Sequence, residues 1–187
     1  MVNKSVKKDF LLALVLVIAG ATIFSAWISL STVGPPQSNG NRAQLKVGDI
    51  APPIQAAGWV NGNPTENNEL QGKVIVVDAW ATWCGPCRLQ APHMVETYQK
   101  FKDQKVVFIG LTTDDEELLP EIRQWLKDTG ITWPNGYGAF DSLMAFHADT
   151  IPQVWVIGID GKVVWNVDSE SKESLEQGIH RALSQIP

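Results

Sequence analysis

Positive charge is in short supply: 15 Lys and Arg stand against 20 Asp and Glu, a formal net charge of -5. No basic footprint for nucleic acid follows from such a balance. There is no internal repeat and no long low-complexity tract. Histidine is also scarce. His93, His147 and His180 stand at no zinc-finger spacing, whereas structural zinc wants four ligands. Cysteine is scarcer still, with Cys84 and Cys87 the two in the chain. What remains is ordinary for a globular protein: 44% hydrophobic and 19% charged residues over 187 positions, enough for one compact domain with extra segments. Eight tryptophans are many for this length, and core and rim packing accounts for most of them.

Charge is missing altogether from Phe10 to Val33, "FLLALVLVIAGATIFSAWISLSTV", which follows Lys4, Lys7 and Lys8. About 20 apolar residues suffice for a helix to cross the hydrocarbon core. Lysines on the N-terminal side leave the N-terminus cytoplasmic and the rest outside. A cleaved signal peptide is the competing reading, since "AGA" and "FSA" resemble cleavage sites, but the length of the run favours a retained anchor. Both readings export the remainder of the chain. No cysteine comes directly after the run, so a lipid anchor on cysteine is unsupported. The expected organisation is an anchor (or signal peptide) at 1–33, a Gly/Pro/Asn-rich linker at 34–45, and one domain at 46–187.

Within that domain the patterns alternate. Turn signals at Asn61-Gly62 and Asn63-Pro64 predict a short N-terminal hairpin. "KVIVVDAWA" and "KVVFIGLTT" are nearly continuous apolar runs, as strands buried on both faces should be. "RLQAPHMVETYQKFKDQ" has helical spacing. Asp114 and Asp115 open "DEELLPEIRQWLKDTG", a helix that Gly130 stops. "DDEE", Asp114 to Glu117, reads simply as acids favouring that helix start. A hairpin turns about Asp160-Gly161, and Leu175, Ile179, Leu183 and Ile186 line a closing helix. The order β-α-β-α-β-β-α predicts an α/β fold, a mixed sheet with helices on both faces. The cysteines then fall at the carboxyl end of the first buried strand, where open α/β sheets place ligands.

Cys84 and Cys87 enclose only Gly85 and Pro86, and closing so short a loop removes little chain entropy, so the pair is a poor staple. A reactive dithiol fits better. The attacking species is a thiolate, which the unpaired amides of a helix start stabilise. Cys84 at that start is expected to be the exposed, partly ionised attacker, and Cys87, a turn further in, the shielded resolving thiol. Pro86 suits the first helical turn, where a missing N–H is no loss.

"WCGPC", with Trp83 before the first cysteine, Pro92 five residues after the second, "VGDIAPPIQAAGWVNGNPTENNELQGK", "DTGITWP" and "DTIPQVWVIGIDGKVV" together resemble the thioredoxin superfamily. The likeness is to its membrane-anchored TlpA/ResA/CcmG-like branch and covers roughly residues 46–185. It implies a thioredoxin-like fold with an N-terminal hairpin extension and an inserted helix. It also implies protein-disulfide reductase activity through Cys84 and Cys87, and no cofactor beyond their redox-active disulfide. A cis peptide bond before Pro152 is implied as well. Trp83, Gly85, Pro86, Ile151 and Pro152 would form the surface that meets an extended substrate, with Tyr137 near it. Members of this branch reduce selected disulfides, notably in cytochrome c maturation. They draw electrons from a DsbD- or CcdA-like transporter in the membrane. The implied partners are therefore a client disulfide such as that of an apocytochrome c, that donor, and the membrane itself. The implied location is single-pass, with the domain extracytoplasmic.

Two positions depart from the branch pattern. Gln90 stands where a glutamate is common, and Asp78 stands where asparagine is usual, six residues before Cys84. A carboxyl buried beneath the dithiol has a raised pKa and can take the proton of Cys87, which makes Asp78 the candidate base; its alternative is a strand-edge aspartate of no catalytic role. A copper-binding module of the same superfamily is the alternative function. Such modules use a wider Cys-X-X-X-Cys plus a histidine, for which only His147, near the cis-proline segment, offers itself. Ala81 and Val77 occupy positions where a peroxidatic pattern needs threonine and proline.

Overall fold

The computed structural model describes residues 45–65, 69–168 and 172–186. The expected anchor, and all of the linker but its last residue, Leu45, lie outside the described residues. Among the described residues no helix is long and apolar enough to cross a membrane.

Six strands form one sheet: β1 (Gly58–Val60), β2 (Val74–Trp80), β3 (Val106–Thr112), β4 (Asn135–Tyr137), β5 (Gln153–Ile157) and β6 (Val163–Asn166). Their order across the sheet is β1-β4-β3-β2-β5-β6. The helices are α1 (Gly85–Phe101), α2 (Leu119–Thr129), α3 (Phe140–Ala145) and α4 (Leu175–Leu183), with a single 3₁₀ turn, Glu116–Leu118, ahead of α2. β2 and β3 pair in parallel, Asp78 opposite Gly110, while β5 runs antiparallel to β2, Ala79 opposite Gln153. The carboxyl ends of β2, β3 and β4 and the amino end of β5 therefore share one edge of the sheet.

Period-two alternation sorts β2 between two cores. Val74, Val76 and Trp80 pack with Met94 and Phe101 of α1, Ile122 and Trp125 of α2, and Ile179 of α4. Val77 and Ala79 pack on the other face with Leu143 of α3, Leu45 and the segment around Ile54. Gly130, in the left-handed region at φ 74°, ends α2 as the sequence indicated. Ser174 and Gln177 close a capping box on α4, which ends before Ile186.

The N-terminal hairpin is not formed among the described residues. Asn61 and Gly62 do turn the chain, at φ 63° and 108°. Asn61 Nδ2, however, donates to the Ile131 and Trp133 carbonyls, and Pro64 beyond has no N–H to offer a ladder. β1 pairs instead with β4, Trp59 opposite Gly136, a strand the sequence patterns did not mark.

Candidate active site

β2 delivers the chain to the shared edge, and α1 begins there. Cys84 is the N-cap of α1, with Pro86 in the first turn, and its Sγ accepts the Cys87 N–H at 3.1 Å. This satisfies one of the amides that a helix start leaves unpaired. The same sulfur is thus aimed at the positive end of the helix dipole. Cys84 and Cys87 are joined as a disulfide.

The expected difference in exposure between the two sulfurs is not seen. Cys84 is 3% exposed and Cys87 4%, both packed into the α1 side of the core with Ala81 and Ala91. Cys84, joined to Cys87, is buried at the helix start. The surface above is made by its neighbours: Gly85 and Pro86 are exposed, and Trp83 is 73% exposed.

Asp78 is 5% exposed, and by alternation it faces the side of β2 that carries Val76 and Trp80, the side on which both cysteines are buried. Burial pushes its carboxyl up to about 7. Across the β2–β5 ladder the chain reaches Pro152 just before Gln153, and the Ile151–Pro152 bond is cis, as the resemblance implied. Ile151 and Pro152 are half-buried, and Ile151 packs against both cores. Gln153 donates to Asp168 beside them.

The other singled-out residues stand further out. Gln90 is half-buried on α1. Tyr137 turns its hydroxyl onto Gly58, where a Cβ would lie only 2.1 Å from it. His147 follows α3 at φ 57°, its Nδ1 buried without a hydrogen-bond partner. Among the described residues no three His, Cys, Asp or Glu gather as a metal site would require.

Sequence reasoning missed Asp114. Asp115 caps the 3₁₀ turn as expected, its side chain accepting the Glu117 N–H. Asp114 instead is 6% exposed, and its Oδ2 accepts the Thr82 N–H at 2.8 Å. An acid placed directly at the carboxyl end of a buried strand, beside the strand that ends in the dithiol, was the available signal. Trp80 was also unforeseen as an organiser. It stacks on Trp125 with ring centroids 4.0 Å apart and donates from Nε1 to Asn135 Oδ1 at 2.9 Å. Arg88 covers the far ring, 5.9 Å from its centroid, and pairs with Asp128 at 3.8 Å.

A family profile described as Redoxin matches residues 46–181. The chain belongs to the Redoxin family. It is similar to the thiol-disulfide oxidoreductase ResA of Bacillus anthracis, 28% identical over 138 residues, which span 73% of this chain and 78% of that one. ResA of Bacillus subtilis (strain 168) is 28% identical over 116 residues, 62% of this chain and 64% of that relative. Among solved structures, a thiol:disulfide interchange protein of the thioredoxin family from Chlorobium tepidum TLS superposes with TM-score 0.59 at 29% identity, covering 72% of this chain and 97% of that one. This Redoxin is a thiol–disulfide oxidoreductase of the TlpA/ResA/CcmG-like branch of the thioredoxin superfamily.

Proposed function

We propose that this Redoxin reduces protein disulfides outside the cytoplasmic membrane, to which the apolar run Phe10–Val33 tethers it. The observation that carries the reading is the Cys87 N–H donated to Cys84 Sγ at the start of α1, a placement that favours the thiolate. The Cys84 thiolate attacks one sulfur of the client disulfide, and the other sulfur leaves and takes up a proton. Cys87 then gives its proton to the Asp78 carboxylate, attacks Cys84 Sγ, and releases the second client thiol. Two electrons pass to the client, and the Cys84–Cys87 disulfide remains. No cofactor beyond that disulfide is needed. A membrane dithiol donor of the DsbD or CcdA kind returns the electrons, and an apocytochrome c is the natural client.

Trp83, Gly85, Pro86, Ile151 and Pro152 form the docking surface in this reading, because the exposed first three sit at the dithiol and the β2–β5 ladder brings the last two to the same edge. The Gly-Pro pair matches a couple near that of thioredoxin, about −270 mV. Equilibration against glutathione and dithiothreitol buffers tests the direction. A value near that of the oxidant DsbA, about −120 mV, would overturn net reduction. Trapping with Cys87→Ser in the native membrane then tests the partners: a cytochrome precursor and a membrane donor are expected on Cys84, and indiscriminate capture would point to a general reductase.

A further inference from the structure

One peptide unit, between Ala81 and Thr82, is held from both sides. Its N–H is donated to Asp114 Oδ2 at 2.8 Å, and its carbonyl accepts the Cys84 N–H at 3.1 Å. A peptide is planar, with N–H and C=O pointing in opposite directions, so fixing the first aims the second. Asp114 is itself immobilised. Its N–H is donated to Thr112 Oγ1 at 3.1 Å, and its carbonyl accepts the Gly138 N–H at 2.7 Å. The Thr112 carbonyl accepts the Ala139 N–H at 2.9 Å, which ties the end of β3 to the same loop.

We propose that Asp114 is a positioning residue for the nucleophile: through the Ala81–Thr82 peptide it holds the Cys84 backbone where the sulfur caps α1. This rests on the reading of Cys84 as the attacking thiol. Asp114 touches no reacting atom. Without its carboxylate the peptide can rotate, the Cys84 N–H loses its acceptor, and Sγ drifts from the Cys87 N–H that stabilises its anion.

The test uses the full chain, reduced, as wild type, Asp114→Ala and Asp114→Asn, with iodoacetamide alkylation of Cys84 followed by peptide mass from pH 5 to 9. Asparagine keeps an oxygen for Thr82 and drops the charge, so it separates positioning from electrostatics. Asp114→Ala is expected to shift the Cys84 profile up by about one pH unit, towards the ordinary thiol value of about 8.5, and to slow alkylation at pH 6 about tenfold. Asp114→Asn is expected to stay within threefold of wild type or exceed it. A folded alanine variant with the wild-type profile, or an asparagine variant as slow as alanine, would overturn the proposal. Should Asp114→Ala fail to fold, Asp114→Ser, whose hydroxyl is too short to reach Thr82, takes its place with the same expectation.

Amide hydrogen exchange supplies a readout independent of thiol reactivity. The Thr82 and Cys84 amides should lose protection together in the alanine or serine variant and keep it in the asparagine variant. Wild-type Cys84 reacting no faster than a free cysteine would refute the nucleophile reading alone, and the exchange comparison would still decide Asp114.

Discussion

Asp78 stands opposite Val154 in the β2–β5 ladder, so the strand of the buried acid is paired with the strand that the cis Ile151–Pro152 bond leads into. The same residue faces Gly110 on β3. An ionisable group has thus been placed in the middle of the sheet, between Val154 and Gly110, and its cost shows as a carboxyl raised by burial to about 7.

That placement fixes a pH dependence. The folded state keeps the Asp78 proton over a range in which the unfolded chain, near 3.8, has released it. Between those values the folded state binds more protons, so stability falls as pH rises and levels off above about 7. At roughly 1.4 kcal/mol per unit, the loss from pH 4 to pH 8 is about 4 kcal/mol. Urea unfolding of the oxidised protein should show this slope, and Asp78→Asn should flatten it and be the more stable protein at pH 8. Equal slopes in the two proteins would mean that Asp78 is ionised in the fold.

Gly110 leads to a second expectation. A Cβ there would lie 1.8 Å from Asn135 Oδ1 and 2.9 Å from Trp80 Nε1, in the path of the bond that joins those two side chains across β3. Neither group can swing clear, because Trp80 is stacked on Trp125 and Asn135 also donates to the Trp133 carbonyl at 2.7 Å. Gly110→Ala should cost about 2–4 kcal/mol, combining overpacking with a broken buried hydrogen bond. Chemical unfolding reads the loss, and a value under about 0.5 kcal/mol would show that the network gives way easily.

Capping predicts a smaller change far from the site. Ser174 accepts the Gln177 N–H at 3.3 Å, and Gln177 Oε1 accepts the Ser174 N–H at 2.8 Å. Ser174→Ala should destabilise the fold by about 1 kcal/mol with the Cys84 alkylation profile unmoved. A shifted profile would reveal coupling between α4 and the dithiol.

The elements legible in the sequence are those whose signals are local. β2 and β3 announce themselves as β-branched runs, and Gly130 and Asp160-Gly161 mark a helix stop and a hairpin turn by local backbone need alone. The cis bond before Pro152 came from likeness of the whole segment. β4 stayed hidden because three residues, Asn-Gly-Tyr, carry no periodicity, and its partner β1 lies far away in the chain. The burial of Cys84 is a tertiary result of packing under the start of α1. Asp114 was masked by its neighbours: four consecutive acids suit a helix start, and only the parallel pairing of β2 with β3 brings the first of them beside Thr82.

The edge that presents the dithiol bears on which clients react fastest. Its loops, 81–84, 113–118, 138–141 and 147–152, carry Asp114, Asp115, Glu116, Glu117, Asp141 and Asp149 and no lysine or arginine. Arg88, the nearest cation in sequence, is paired with Asp128. A negative rim steers cationic partners inward and slows anionic ones, an effect that acts on association and fades as salt shortens the Debye length from about 10 Å at 0.1 M to about 3 Å at 1 M. Disulfide peptides of one sequence, flanked by lysine or by glutamate, should differ severalfold in kcat/KM at low ionic strength, lysine being faster, and converge near 1 M salt. Replacing the exposed Asp115, Glu116 and Glu117 with their amides should narrow the gap while leaving the rate with a neutral peptide unchanged. If the two peptides react alike at low salt, recognition is governed by the apolar surface at Trp83 and Ile151 and not by the acidic rim.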